Sequence, residues 1–251
     1  MARKLSVLGI DIAKLVFHVV GMDDTGAVVL RKRLARSEVL HCIATLPPLL
    51  IGMEACGSAH YWARCLQAHG HDVRLIAPQF VKAYVKSPKN DTRDAEAICE
   101  AVTRPTMRFV PIKRVAQQDL QALHRVRERL IKARTALVNA IRGLLNAYGL
   151  VLPPSIPKFR ALIVDKLQEE QATLTPRSTE MFWQLSEEFL AREKRVASYD
   201  EKLAAIGQAH PECQRLQTLP GIGPLSATAR LTAMGDVTQC KHGRQCAAWL
   251  G

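Results

Sequence analysis

Aromatic residues are scarce. Six Phe, four Tyr and three Trp make up 5% of the 251 residues, too few for stacking on bases to be the main mode of holding nucleic acid. Long apolar runs are also missing. No stretch approaches the roughly 18–20 uninterrupted apolar residues of a membrane span. The run from Leu5 to Ile10 is broken by Asp11, so neither a membrane protein nor an exported one is expected. The seven cysteines are odd in number and contain no Cys-x-x-Cys pair. That argues against a disulfide framework and fits reduced thiols in a cytoplasm. Cys240, His242 and Cys246 lack the spacing of a zinc knuckle, and no second pair follows. Acidic residues are in deficit too: 23 Asp and Glu face 35 Lys and Arg, a net charge of +12. Such an excess suggests a polyanionic partner, nucleic acid first, although a basic but ordinary enzyme has the same balance.

With 48% apolar residues the chain can bury a sizeable core. Its first third reads as alternating strands and helices. Leu5 to Ile12 is a nearly continuous apolar run, as in a strand covered on both faces. Val16 to Val20 is a second strand, and a third begins at Ala27 after the turn residues Asp23-Asp24-Thr25-Gly26. Ser37 is placed to cap a short helix that ends before Pro47-Pro48. Leu49 to Glu54 and Asp72 to Ile76 read as strands, with a helix from Ala59 to His69 closed by Gly70 between them. A three-strand meander followed by strand–helix–strand alternation predicts an α/β domain with a mixed sheet. Beyond it, Leu120, Leu123, Val126, Leu130, Ala133, Leu137, Ile141, Leu144 and Leu145 recur at spacings of three and four, which predicts one long amphipathic helix over 115–148. Pro153 to Pro157 reads as a linker, and a second long helix is predicted over 178–207.

Four acids could carry chemistry. Asp11 interrupts the first apolar strand, where an ionised group is costly unless it is paired or binds metal. Glu54 ends a later strand in the same way. Asp91 and Asp94 are three apart at what reads as a helix start, and so share a helical face. Gathered together, four carboxylates need cations, and Mg²⁺ or Mn²⁺ suit oxygen ligands. Two such ions about 3.5–4 Å apart clamp the attacking and leaving oxygens of a phosphodiester. Taken singly, Asp91 also suits an N-cap, and Glu54 a solvated strand end.

Gly9-Ile10-Asp11-Ile12-Ala13-Lys14, then Gly52-Met53-Glu54-Ala55-Cys56-Gly57, then Asn90-Asp91-Thr92-Arg93-Asp94-Ala95 closely resemble, in order, the DEDD transposases of bacterial insertion sequences, relatives of the Piv invertases. Leu219-Pro220-Gly221-Ile222-Gly223-Pro224 and Ala247-Ala248-Trp249-Leu250-Gly251 resemble the later part of the same family. The resemblance implies a RuvC-like (ribonuclease H-like) domain with Asp11, Glu54, Asp91 and Asp94 as catalytic residues and Mg²⁺ ligands. It also implies a coiled-coil dimerisation segment and a C-terminal transposase domain. The partners implied are DNA, a structured guide RNA and a second copy of the chain, in a bacterial cytoplasm near the nucleoid. The family's nucleophilic serine belongs to a stretch after Ala-Ala-Trp-Leu-Gly, so no serine here, Ser226 included, is assigned that role. The C-terminal domain is therefore expected to be incomplete and DNA strand cleavage and transfer impaired, with Trp249 and Leu250 poorly covered and residues 218–251 less stable than 1–105.

The expected fold class is thus α/β plus α. Residues 1–105 form the RuvC-like domain, 106–208 a helical coiled-coil segment, and 209–251 the start of a partial helical domain with a helix-hairpin-helix-like turn. Ten Lys and Arg against two acids between Arg104 and Asn146 supply most of the chain's excess charge. Arg125, Arg129, Lys132 and Arg134 are the expected nucleic-acid contacts, with a solvated coiled-coil face as the plainer reading. Gly221 and Gly223 could offer backbone amides to a phosphate, or simply turn the chain between helices. Two rival functions remain: a free-standing RuvC-like nuclease, and an inactive truncated remnant that only binds nucleic acid.

Overall fold

The computed structural model describes residues 4–85, 91–234 and 242–244, with backbone alone for Asp91, Thr92 and Met234. The chain divides into two compact units, Met1–Arg114 and Val115–Gly251.

The first unit is built on a six-stranded mixed sheet of order β3-β2-β1-β4-β5-β6. Strands β1 (Val7–Ile12), β2 (Val16–Met22) and β3 (Val28–Ala35) form the expected antiparallel meander. Strands β4 (Leu50–Glu54) and β5 (Asp72–Ile76) run parallel to β1, and the short β6 (Phe109–Val110) returns antiparallel at the edge. This is the α/β half of the expected fold class. Each central strand is apolar on both sides because both sides are covered. Leu8, Ile10, Phe17, Ile51, Met53 and Leu75 pack on one face against helices α1 (Val39–Ala44) and α2 (Ala59–Ala68). Val7, Val20, Met22 and Ile76 pack on the other against α3 (Pro78–Lys82) and α4 (Asp91–Val102).

One local expectation is corrected. Helix α1 begins at Val39, not at a Ser37 cap: the residue before it is Glu38, whose carboxylate turns back to accept from the Ala35 amide at 2.9 Å. The segment after β6 is tied to α2. The Lys113 amide donates to His60 Nδ1 at 3.2 Å, and Arg64 donates to the Lys113 carbonyl at 2.5 Å, so α2 fastens the segment that follows β6.

The second unit is helical. Helix α5 (Val115–Asn146) buries Leu120, Leu130, Ile141 and Leu145 of the predicted seam, together with Val138, which the seam did not include, while Val126 and Leu144 of the seam are exposed. Its C-terminal half packs on α6 (Ile156–Glu169) and α7 (Pro176–Ala209), where Phe159 and Phe189 meet edge-on at 5.0 Å. The segment read as a linker is non-helical over 153–155, and its last two residues open a helix: Pro157 sits in the first turn of α6, where a missing N–H costs nothing. Helices α8 (Pro211–Gln217) and α9 (Pro224–Met234) follow, and α9 packs on α5 and α7. Ala227 and Thr228 are fully buried there, and Thr228 Oγ1 lies 3.0 Å from His124 Nε2. Ala227, Thr228 and Thr232 are buried, whereas residues 218–221 are exposed, and Trp249 and Leu250 lie outside the described residues. No described helix is long and apolar enough to cross a membrane.

Candidate active site

Strand register decides where the acids point. β1 and β4 are parallel neighbours with Gly9 opposite Gly52 and Ile10 opposite Met53. Asp11 and Glu54 each follow one of that last pair, at the carboxyl ends of their strands. Side chains alternate along a strand. Ile10 and Met53 are both fully buried in the core beneath α1 and α2. Asp11 and Glu54 therefore both turn to the opposite face, the face that carries α4. Both are half-buried there.

The same alternation puts Gly9 and Gly52 on the α4 face, and their missing side chains let the helix lie against the sheet. A β-carbon on Gly9 would overlap the Ala95 carbonyl oxygen and stand 2.8 Å from the Cys99 amide nitrogen. One on Gly52 would stand 2.8 Å from Ile98 and 2.9 Å from Val102. Cys99 is locked in this contact: its thiol donates to the Val20 carbonyl at 3.1 Å, and burial pushes its pKa up to about 12. A thiol in that state is structural. Asp94 adjoins Ala95 and is half-buried. Asp91 begins the same helix one turn earlier, and its side chain lies outside the described residues.

Register thus turns Asp11 and Glu54 to one face, and α4, whose first turns carry Asp91 and Asp94 in the sequence, packs on that face. Among the described residues no three His, Cys, Asp or Glu side chains form a group able to hold an ion. The donor set is nonetheless all oxygen, which fits a hard divalent cation and not zinc. Of the alternative cluster, Cys240 and Cys246 lie outside the described residues and His242 is exposed.

Two residues that the sequence reading passed over share the row. Asp11 pairs across the strands with His18, and His18 pairs with Arg33 on the edge strand β3. Residues paired in this way project to one face. The signal available in the sequence was a polar residue in the middle of the apolar run Val16-Phe17-His18-Val19-Val20.

In the second unit, Arg125, Arg129 and Lys132 are exposed along one side of α5, with Lys132 bound to Glu128 at 2.6 Å. That contact holds the Glu128 carboxyl below the usual carboxylate range. Arg134 differs. It turns inward to Glu193 of α7 at 2.6 Å, and both side chains are largely buried. Arg127 is likewise paired with Asp200. The Gly221 backbone has φ +83° in the turn between α8 and α9, and both Gly221 and Gly223 are exposed.

The chain is similar to known proteins over most of its length. Residues 8–150 match the family model of the IS110-type DEDD transposases, and residues 213–251 match that of the IS116/IS110/IS902 transposases. A probable family 20 transposase of Pseudomonas aeruginosa is 48% identical over 98% of this chain and 73% of its own length. The transposase for insertion sequence element IS1111A of Coxiella burnetii is 43% identical over 99% of this chain and 68% of its own. The transposase for IS1328 of Yersinia enterocolitica is 36% identical over 92% and 69%. With matches of this extent, joined to a mixed sheet that turns Asp11 and Glu54 to one face, the chain belongs to the IS116/IS110/IS902 family of insertion-sequence transposases.

Proposed function

We propose that the first unit supplies the metal-dependent part of DNA strand cleavage and transfer, with Asp11, Glu54, Asp91 and Asp94 holding Mg²⁺ or Mn²⁺, while strand transfer is impaired because no serine of this chain is assigned as the nucleophile. The observation that carries this reading is the shared face of Asp11 and Glu54 beneath the acid-bearing start of α4. A pair of divalent ions there supplies Lewis-acid stabilisation of the phosphodiester and a more acidic attacking water or hydroxyl. The protein's part is positional. The parallel register fixes Asp11 beside Glu54, and the two glycines seat the helix that brings Asp94 to them. A sheet held by buried residues on both faces keeps these groups in place as the ligands change.

The polyanion-binding part of the reading rests on Arg125, Arg129 and Lys132, whose exposed side suits DNA phosphates or a structured guide RNA. Arg134 is engaged with Glu193 and supports the helix pair instead. The turn at Gly221 and Gly223 adds backbone amides that could meet a phosphate. Dimerisation would use the outer faces of α5 and α7, because the inner seam is filled within the chain.

The test is incubation of the full chain with supercoiled and branched DNA in Mg²⁺ or EDTA. Metal-dependent cleavage that is lost in Asp11→Asn and Glu54→Gln supports the reading. Binding without cleavage in any divalent ion favours a protein that only binds nucleic acid. Cleavage unaffected by either substitution would place the chemistry elsewhere.

A further inference from the structure

We propose that Arg33 is a phosphate-binding residue of the cleavage face, holding the DNA backbone beside the phosphodiester that the acids act on. This rests on the reading of the four acids as the cleavage site. The geometry comes from strand register. Arg33, His18 and Asp11 form one lateral row over β3, β2 and β1, with Glu54 next in line on β4. At about 4.8 Å per strand, Arg33 lies roughly 10 Å from Asp11 along that row. An arginine side chain extended inward from there reaches a neighbouring phosphate of the same strand without crowding the carboxylates.

The neighbouring cations in sequence, Arg31, Lys32 and Arg36, are each engaged elsewhere. Arg31, two residues earlier on the same face, is paired with Glu96 of α4 at 2.5 Å. Lys32 projects to the opposite face and donates to Cys42 Sγ at 3.4 Å. Arg36 lies over the rings of Phe17 and Trp62, 5.8 and 5.0 Å from their centroids. Arg33 is exposed, and among the described residues no ion pair or ring contact engages it. A guanidinium suits the role because its forked donors match a phosphate in two-point contact. The row then has acids at its centre to collect metal ions and a cation at its rim to collect the strand. The plainer role for a charge on β3 is to prevent edge-to-edge sheet pairing; Lys32, on the same strand and the opposite face, serves that role equally and is the natural control.

The experiment measures binding of a fluorescein-labelled 20-nucleotide single strand and its duplex by anisotropy, with Ca²⁺ or EDTA, across a salt series. Wild type, Arg33→Ala, Arg33→Lys, Lys32→Ala and Asp11→Asn are compared, with melting curves to establish folding. Arg33→Ala is expected to weaken binding about 5- to 10-fold and to lower the salt slope by about one, while Arg33→Lys keeps the slope. Lys32→Ala is expected to change affinity less than about two-fold. Equal losses in Arg33→Ala and Lys32→Ala, or no loss in either, overturn the proposal. Failure of the underlying reading looks different: Ca²⁺ then fails to tighten wild-type binding, or tightens Asp11→Asn just as well.

Discussion

Gly9 and Ala95 are in backbone contact, and no other residue type fits at position 9. A β-carbon there would overlap the Ala95 carbonyl oxygen, which belongs to the helix backbone and cannot swing away. Gly9→Ala is therefore expected to lift α4 from the sheet and destabilise the first unit by about 3 kcal/mol, at the upper end of overpacking costs. Denaturant unfolding of the variant measures this. Because α4 carries Asp94, divalent-ion binding should fall by more than the loss of folded protein explains.

His60 makes the first unit sensitive to acid. Burial, together with the charges of Lys113 and Arg64, lowers its pKa from 6.5 to about 4, and its Nδ1 accepts from the Lys113 amide. The fold thus requires the neutral ring. Stability is present above the unfolded value of 6.5 and is lost as pH falls from there toward 4, where the unfolded chain binds the extra proton. The loss is of order 2–3 kcal/mol by linkage. Unfolding free energies measured at pH 7, 5.5 and 4 should show this slope, and His60→Gln should flatten it.

The cations of α5 should separate into two groups. Replacing Arg125, Arg129 and Lys132 together with Ala is expected to lower the salt slope of DNA binding by up to about three units, with little change in melting temperature. Arg134→Ala should do the reverse. It leaves Glu193 largely buried with only the 3.3 Å contact from Arg160, and a cost of about 1–3 kcal/mol should appear in thermal unfolding. A triple variant with an unchanged slope would make that side of α5 a solvated face.

The turn between α8 and α9 separates its two glycines. Gly221 has φ +83°, so Gly221→Ala should cost about 1 kcal/mol of stability. Gly223 has an ordinary φ, and nothing stands within 4 Å of a β-carbon built on it. Gly223→Ala should leave stability unchanged, so any loss of DNA affinity in it reports on the exposed backbone directly.

Local pattern and tertiary context contributed differently to this molecule. The five longer strands, α2 and the two long helices were legible because their signals are local: apolar runs, helical spacing, and Gly70 with φ +86° after α2. Asp11 stood out because a carboxylate inside an apolar strand is costly. Three features were not legible. β6 is two residues long and exists because Leu75 and Ile76 offer it an edge. Helix α6 begins within a proline cluster that looks like a linker. The inward turn of Arg134 depends on Glu193, 59 residues away.

The sequence by itself determined which residues are acidic, basic and apolar, and through their periodicity which segments become strands or helices. It also carried the ordered motifs that mark the family. Only the tertiary structure decided that Asp11 and Glu54 share a face, because a shift of one residue between β1 and β4 would send them to opposite sides. Only it showed why Gly9 and Gly52 are glycines, since the space they leave is filled by a helix more than 40 residues further along the chain. And only the pairing of β1 with β2 and β2 with β3 placed Arg33 in line with Asp11, a relation that lies across strands and leaves no trace along the sequence.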